Sequence, residues 1–236
     1  MPSRMNARAL THKLVFLLAF LPAEGALWAQ EGMAARRSLV ELNTPQGRMI
    51  LALFNETPQH RDNFLELVRT RYYDSTLVHR ATPEFVIEGG DPESKIAAPG
   101  APLGKGGPGY TLESEPLPSL HPFRGALAAA PPSGQEDPLK RTHGSQFFIV
   151  LGRNYENADL DRLAERAKAQ GEELTFSAES RAAYGSIGGL PHMDGHYTVF
   201  GEVLEGLDVL DAIANQPCNQ EDRPLTDVRI WMRELP

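Results

Sequence analysis

Residues 78–91 read VHRATPEFVIEGGD, and this stretch is the most informative part of the sequence. Apolar residues stand on both sides of Thr82-Pro83, and the stretch ends in Gly89-Gly90-Asp91. Proline and glycine at such places are typical of turns, so the pattern predicts two short strands around a tight turn. Arg80 belongs to the first strand. There, a permanently charged side chain with several donors would stand beside apolar surface.

The flanking sequence predicts a mainly β protein. Residues 39–42 and 49–54 are apolar runs around a turn and indicate a hairpin. Thr57 and Pro58 suit the N-cap and first position of a helix. Further strands are expected at 124–130, 146–151 and 197–203 and, at the sheet edge, 228–232, with a short helix at 207–213. Many short strands with only two core helices favour a closed barrel.

A charged stretch, residues 154–189, interrupts this pattern. Leu160, Leu163, Ala164 and Ala167 follow helical spacing, with acidic residues between them. We interpret the stretch as an exposed helical insertion. Because it ends directly before Leu190, next to residues considered below for binding, it suggests a lid or a partner surface. The loop 92–109 has too little apolar content to predict an element.

Three stretches together resemble the cyclophilin-type peptidyl-prolyl isomerases. Residues 78–91 are similar to the family signature FHRxxxxFxxQGGD, and residues 144–148 (GSQFF) and 194–201 (DGHYTVFG) extend the match. The resemblance covers residues 38–236. It implies a closed eight-stranded antiparallel barrel capped by two helices, here with an extra helical segment at about 154–189. It also implies catalysis of rotation about Xaa-Pro peptide bonds, in a groove on the outer face of the barrel.

The resemblance also implies which residues form the site. Arg80 would be catalytic, donating to the prolyl nitrogen as the amide twists. The positions carried over as substrate-binding are Phe85, Val86, Glu88, Ala130, Gln146, Phe148, His192, Met193 and Tyr197. Period two along the strand predicts Phe148 in the groove and Phe147 in the core. Gln146 would offer its amide to the peptide backbone.

Several residues depart from the family pattern. Glu88 replaces a glutamine. Period two along the strand puts Glu88 on the same face as Val86 and within reach of Arg80, where a carboxylate would either orient Arg80 or partly neutralise it. Pro131 replaces an asparagine next to Ala130, which removes a backbone donor. His192 stands in place of a tryptophan associated with cyclosporin binding, and Tyr197 in place of a histidine. We therefore expect weak cyclosporin sensitivity with activity retained.

Composition limits the partners. The formal net charge is −8 without a basic cluster, which argues against nucleic acid or anionic lipid as a ligand. His192 and His196 have a zinc spacing, but Asp194-Gly195 predicts a turn between them and no third ligand is evident. We expect no metal and no cofactor. The single cysteine, Cys218, excludes an internal disulfide.

The N-terminus predicts export. Residues 1–29 combine basic residues with a short apolar run and resemble a signal peptide, followed by a flexible segment at 30–37. An uncleaved membrane anchor remains the alternative. With cleavage we expect a periplasmic monomer that does not contact the membrane and acts on proline-containing polypeptides.

Three functions are compatible with these residues. The first is an isomerase that assists the folding of exported proteins, since prolyl exchange is a common slow step in folding. The second is a peptide-binding module with little turnover, favoured by Glu88, Pro131 and the insertion. The third is a structural barrel without a ligand, which the joint presence of Arg80, Phe85 and Gln146 argues against.

Overall fold

The computed structural model describes residues 37–132 and 141–236. The predicted signal peptide and residues 30–36 lie outside this part of the chain. The strands are β1 (Leu39–Thr44), β2 (Gly47–Leu53), β3 (Thr76–Leu77), β4 (Arg80–Ala81), β5 (Val86–Gly89), β6 (Thr111–Leu112), β7 (Ala126–Ala129), β8 (Thr142–His143), β9 (Phe147–Val150), β10 (Val199–Glu205) and β11 (Arg229–Leu235). The α-helices are α1 (Pro58–Arg69), α2 (Asn157–Ala169), α3 (Ala178–Ser186) and α4 (Leu207–Ala214), with 3-10 turns at Pro92–Ile96 and Pro191–Met193.

Nine of the strands form one curled antiparallel sheet in the order β3-β11-β1-β2-β10-β7-β9-β5-β4, and β6 pairs separately with β8. The prediction of a mainly β fold is confirmed, but the closed eight-stranded barrel is not. Within residues 37–132 and 141–236, no ladder joins the edge strands β3 and β4. Val78 and His79, which connect them, donate their N–H groups to Val228 and Glu88 instead. The chain itself, rather than a row of hydrogen bonds, therefore links the two edges.

The last strand does not lie at an edge, so that prediction was wrong. β11 pairs with β1 on one side and with β3 on the other. Its Ile230 and Met232 are buried. The predicted hairpin of β1 and β2 is confirmed, with Thr44 opposite Gly47 at the turn.

Two apolar clusters occupy opposite faces of the sheet. The core cluster includes Leu51, Phe64, Leu127, Phe147, Ile149, Leu210 and Ile213. The outer cluster comprises Phe54, Val86, Ala126, Ala128, Ala130, Phe148, Val150, Leu190 and Val199, with Phe85, Leu120, Met193 and Tyr197 packed against it. Alternation along β9 separates Phe147 from Phe148, because successive side chains of a strand point to opposite faces.

The helices α1 and α4 close the core cluster. Phe64, Leu65 and Val68 of α1 and Leu210 and Ile213 of α4 are buried in it, so the two predicted capping helices are confirmed. Pro58 begins α1 as expected. Thr57 occupies the N-cap position, but its side chain makes no capping hydrogen bond.

The stretch 154–189, interpreted above as an insertion, contains two helices, α2 and α3, so its predicted helical character is confirmed. The 92–109 loop, in contrast, contains a 3-10 turn at Pro92–Ile96 that its composition did not predict. The buried Asp91 carboxylate accepts the N–H of Glu93 at 2.8 Å and that of Gly104 at 2.6 Å. Polar capping, rather than apolar burial, therefore builds that element. None of the helices in the described ranges is long and apolar enough to cross a bilayer.

Candidate functional site

The 78–91 hairpin presents Arg80 at the edge of the sheet. β4 pairs with β5 so that Arg80 lies directly opposite Glu88. Arg80 Nη1 donates to Glu88 Oε1 at 3.0 Å. The side chain of Arg80 keeps 37 % of its surface exposed, so its guanidinium is held in place but accessible to a ligand.

The end of the hairpin packs tightly against the segment 144–148. Gly90 has φ +96°, and a Cβ there would lie 2.2 Å from the Ser145 carbonyl oxygen. Ser145 Oγ donates to the Gly90 carbonyl at 2.8 Å. Only glycine allows this backbone conformation and this approach without strain. The Gly-Gly-Asp sequence thus fixes the position of β5 relative to Gln146 and Phe148.

Two carboxylates flank the guanidinium. Burial raises the pKa of Glu88, while its contact with Arg80 opposes that shift. On the other side, Asp222 Oδ2 lies 3.5 Å from Arg80 Nε and accepts from Thr82 Oγ1 at 2.9 Å. The approach of Glu88 to Arg80, predicted from strand periodicity, is confirmed. The contact with Asp222 was missed because an irregular loop brings it from far along the sequence.

His79 is the neighbour of Arg80 but does not add charge to the site. It is buried, and burial lowers its pKa to about 4. Its Nε2 lies 3.9 Å from Glu88 Oε2. The ring is therefore neutral at pH 7, and Arg80 is the cation of this hairpin.

The outer cluster forms an apolar patch beside the guanidinium. Arg80 Cζ lies 5.4 Å from the centroid of the Phe85 ring. The rings of Phe148 and Tyr197 meet edge to face at 5.7 Å. The exposed His192 ring stacks nearly parallel to Phe85, at 6.4 Å between centroids.

The predicted pocket residues fall into two layers. Val86, Ala130 and Phe148 are almost fully buried and form a floor. Phe85, Met193 and Tyr197 are partly exposed and pack against that floor. A ligand on this patch would therefore contact mainly the second group.

Polar groups of Gln146 and Ala130 are bonded within the protein. The Gln146 amide was expected to be available for a peptide, but its Nε2 donates to the Gly106 carbonyl at 2.8 Å. The Ala130 N–H donates to the Gln146 carbonyl at 3.1 Å, and the Ala130 carbonyl accepts from His143 N–H at 2.8 Å. Pairing between β7 and the 143–146 segment uses these groups, which strand patterns alone do not reveal.

No metal centre is formed by the part of the chain that the structure describes: no three His, Cys, Asp or Glu side chains are grouped to hold an ion. His196 instead lies 3.9 Å from Glu172 of the insertion. His192, on the other side of the turn, stacks on Phe85.

Comparisons with known proteins agree on one family. The model of the family described as cyclophilin type peptidyl-prolyl cis-trans isomerase matches residues 39–234. A putative peptidyl-prolyl cis-trans isomerase of Staphylococcus aureus is 34% identical over 195 residues, covering 81% of this chain and 88% of that protein. A putative bifunctional phosphatase/peptidyl-prolyl cis-trans isomerase of Streptococcus pyogenes is 36% identical over 202 residues, covering 83% of this chain but only 38% of that protein.

A solved structure extends the comparison to the fold. The Cryptosporidium parvum cyclophilin type peptidyl-prolyl cis-trans isomerase, crystallised in the presence of the dipeptide Ala-Pro, superposes with a TM-score of 0.60 at 26% identity. The superposition covers 84% of this chain and 99% of that one.

Proposed function

This chain belongs to the cyclophilin-type peptidyl-prolyl cis-trans isomerases, and we propose that Arg80 and the outer cluster form its catalytic site for Xaa-Pro bonds in polypeptides. One observation carries the proposal. The guanidinium of Arg80 is held by carboxylates, partly exposed, and 5.4 Å from the ring of Phe85, which packs against the apolar patch. A prolyl ring on that patch would bring its amide nitrogen toward the cation.

The reaction needs no nucleophile and no bond cleavage. The peptide bond resists rotation by about 18–20 kcal/mol because of its partial double-bond character. As the amide twists, its nitrogen regains a lone pair that accepts a hydrogen bond. A donor fixed at that place stabilises the twisted state more than either planar isomer, which is the condition for catalysis.

Arg80 meets this requirement through its geometry. Glu88 binds Nη1 and Asp222 approaches Nε. Among the described residues no hydrogen bond is formed by Nη2, so this side of the guanidinium is left for a substrate. Because arginine stays protonated throughout the physiological pH range, the donor is present in every turnover.

Phe85, Met193 and Tyr197 would hold the prolyl ring, with Phe148 and Val86 beneath them. His192 would extend this surface through its stacking on Phe85. Because Gln146 Nε2 donates to the Gly106 carbonyl, we assign Gln146 two roles: it holds the loop that contains Gly106, and it contacts the peptide.

A role in the folding of exported proteins rests on the signal-like sequence of residues 1–29, which lies outside the described residues. Prolyl isomerisation takes tens to hundreds of seconds without a catalyst, long enough to delay folding after export. A monomer in a periplasm remains our proposal for the working state.

A second function is favoured by one observation, the pair of carboxylates on Arg80. If Glu88 and Asp222 neutralise the guanidinium strongly enough, the patch would bind proline-containing peptides without accelerating their rotation. Peptide affinity without turnover would identify this case.

The test is prolyl isomerisation of an Ala-Ala-Pro-Phe peptide by the protein beginning at Gln30. Arg80→Ala is expected to lower kcat/KM by roughly 10²–10³-fold, the effect of losing one preorganised donor. Arg69→Ala is the matched control, because Arg69 is an exposed arginine at the end of α1 that pairs with Glu234 and is not among the residues of the proposed site. Equal rates for Arg80→Ala and the unmodified protein would exclude Arg80 as the catalytic group.

A further inference from the structure

The insertion contributes a tyrosine to the interior of the protein. Tyr184 lies on α3 and is completely buried. Its ring packs edge to face against Phe123 at 4.7 Å and Phe176 at 5.8 Å. A phenol that is buried costs free energy unless its hydroxyl is bonded. Among the described residues, the Tyr184 hydroxyl has one hydrogen-bond partner, and this residue lies outside the insertion.

That partner is Asp194, the residue after the Pro191–Met193 turn. Tyr184 Oη donates to Asp194 Oδ2 at 3.0 Å. The same carboxylate receives His121 Nδ1 at 2.8 Å, and this hydrogen bond raises the pKa of His121. Asp194 is itself buried, so it connects the insertion, the 117–123 loop and the turn in one hydrogen-bonded group.

Backbone contacts hold the base of the insertion against the same loop. Gly189 forms isolated bridges with Phe123 and with Arg153. Leu190 N–H donates to the Pro122 carbonyl at 2.9 Å. Movement of the insertion as a lid would break these bonds and expose the Tyr184 hydroxyl, so the contacts favour a fixed support.

The Pro191–Met193 turn, which Asp194 follows, forms one side of the proposed site. Met193 N–H donates to the Leu190 carbonyl at 2.9 Å, which closes the turn. Met193 packs against the outer cluster, and His192 stacks on Phe85. Asp194 follows Met193 directly, so a displacement of Asp194 moves the side chain that would contact the prolyl ring.

We propose that Tyr184 is a positioning residue that fixes Met193 and His192 through Asp194, making the insertion a determinant of substrate affinity. This inference rests on the proposed function for the identity of the pocket. It assigns the insertion a role in binding rather than in the bond rotation, which Arg80 promotes.

The experiment compares Tyr184→Phe with Tyr155→Phe in the full chain. Tyr184→Phe keeps the ring but removes the bond to Asp194, and Tyr155→Phe makes the same chemical change elsewhere in the insertion. We expect KM for an Ala-Ala-Pro-Phe peptide to rise roughly 2- to 30-fold in Tyr184→Phe, the range for coupling through packed side chains. We expect kcat to be nearly unchanged, and Tyr155→Phe to behave as the unmodified protein.

A second measurement follows the surroundings of the Met193 side chain directly. The ¹³C methyl signal of Met193, assigned by Met193→Leu, should shift in Tyr184→Phe and stay in place in Tyr155→Phe. A lower unfolding temperature for Tyr184→Phe with KM and the Met193 signal both unchanged would overturn the proposal, because Tyr184 would then only pack the insertion. If the unmodified protein fails to isomerise the peptide, the proposed function fails, while the Met193 signal still decides whether Tyr184 positions the turn.

Discussion

Replacing Glu88 by glutamine isolates the effect of a negative charge on Arg80. The glutamine carbonyl can still accept the hydrogen bond that Arg80 Nη1 now donates to Glu88 Oε1 at 3.0 Å. Orientation of the guanidinium is therefore retained while the charge is removed. Asp222 remains at 3.5 Å from Nε. If the carboxylate weakens the donor, Glu88→Gln should raise kcat/KM for a prolyl peptide.

The size of the effect follows from distance and exposure. Two unit charges about 4 Å apart interact by about 4 kcal/mol at the effective dielectric constant near a protein surface. Arg80 is 37 % exposed and Glu88 23 %, and exposed pairs contribute only about 0.2–1 kcal/mol because water and salt screen them. Taking about 1 kcal/mol as the upper end, we expect a rate increase of about 2- to 5-fold.

The pH dependence of the isomerisation rate tests independently whether the negative charge of Glu88 slows the reaction. Burial raises the pKa of Glu88 above its ordinary value, so the carboxyl takes up its proton earlier than an exposed glutamate as the pH falls. Protonation removes the same charge that Glu88→Gln removes. The unmodified protein should therefore become faster in mildly acidic solution and approach the rate of Glu88→Gln, which lacks this step.

The assay is exchange spectroscopy by NMR on a short Xaa-Pro peptide, since it needs no coupling protease with its own pH optimum. Glu56→Gln is the control, because Glu56 is an exposed glutamate outside the site. A decrease in rate for Glu88→Gln at pH 7 would refute the charge argument and show that the carboxylate is needed to orient Arg80. A pH profile that Glu88→Gln leaves unchanged would assign the titration to another group.

Three further outcomes are expected. The hydrogen bond from Arg233 lowers the pKa of the Glu41 carboxyl to about 2, so this pair stabilises the fold at pH values above the ordinary glutamate pKa and loses that effect as the pH falls toward 2. Glu41→Gln should lower the free energy of unfolding, measured in urea at pH 7, by about 1–2 kcal/mol and should weaken its dependence on pH in acid. His192→Trp should strengthen cyclosporin inhibition at least about tenfold, because a larger ring would bury more apolar surface against the ligand; tight inhibition of the unmodified protein would contradict this. Burial raises the pKa of the Cys218 thiol, so its alkylation at pH 7.5, followed by mass spectrometry, should be slower in the native than in the unfolded protein.

The sequence predicted the parts of the fold that depend on local patterns. Alternation along β9 assigned Phe147 and Phe148 to opposite faces, because the side-chain period of a strand is two. The same period placed Glu88 within reach of Arg80. The start of α1 at Pro58 followed from the fixed φ of proline.

Predictions that needed long-range pairing were less complete. The curled nine-stranded sheet and the position of β11 between β3 and β1 depend on which strands meet across the molecule, and hydrophobic patterns carry no information on that choice. Gln146 was expected to offer its amide to a peptide, yet the loop fixed by Asp91 brings the Gly106 carbonyl to its Nε2.

By itself, the sequence determined the family, the turn-and-strand character of the 78–91 hairpin, and the identity of a cation beside aromatic residues. These follow from residue types at short spacing. Only the tertiary structure placed Asp222 against Arg80 and Tyr184 against Asp194. In the first pair 142 positions separate the partners and in the second 10, yet the first contact joins a strand to an irregular loop and the second a helix to the residue after a turn, so neither follows a regular repeat. Such contacts are decided by packing of the whole chain, because each buried polar group must find its partner wherever the fold brings one.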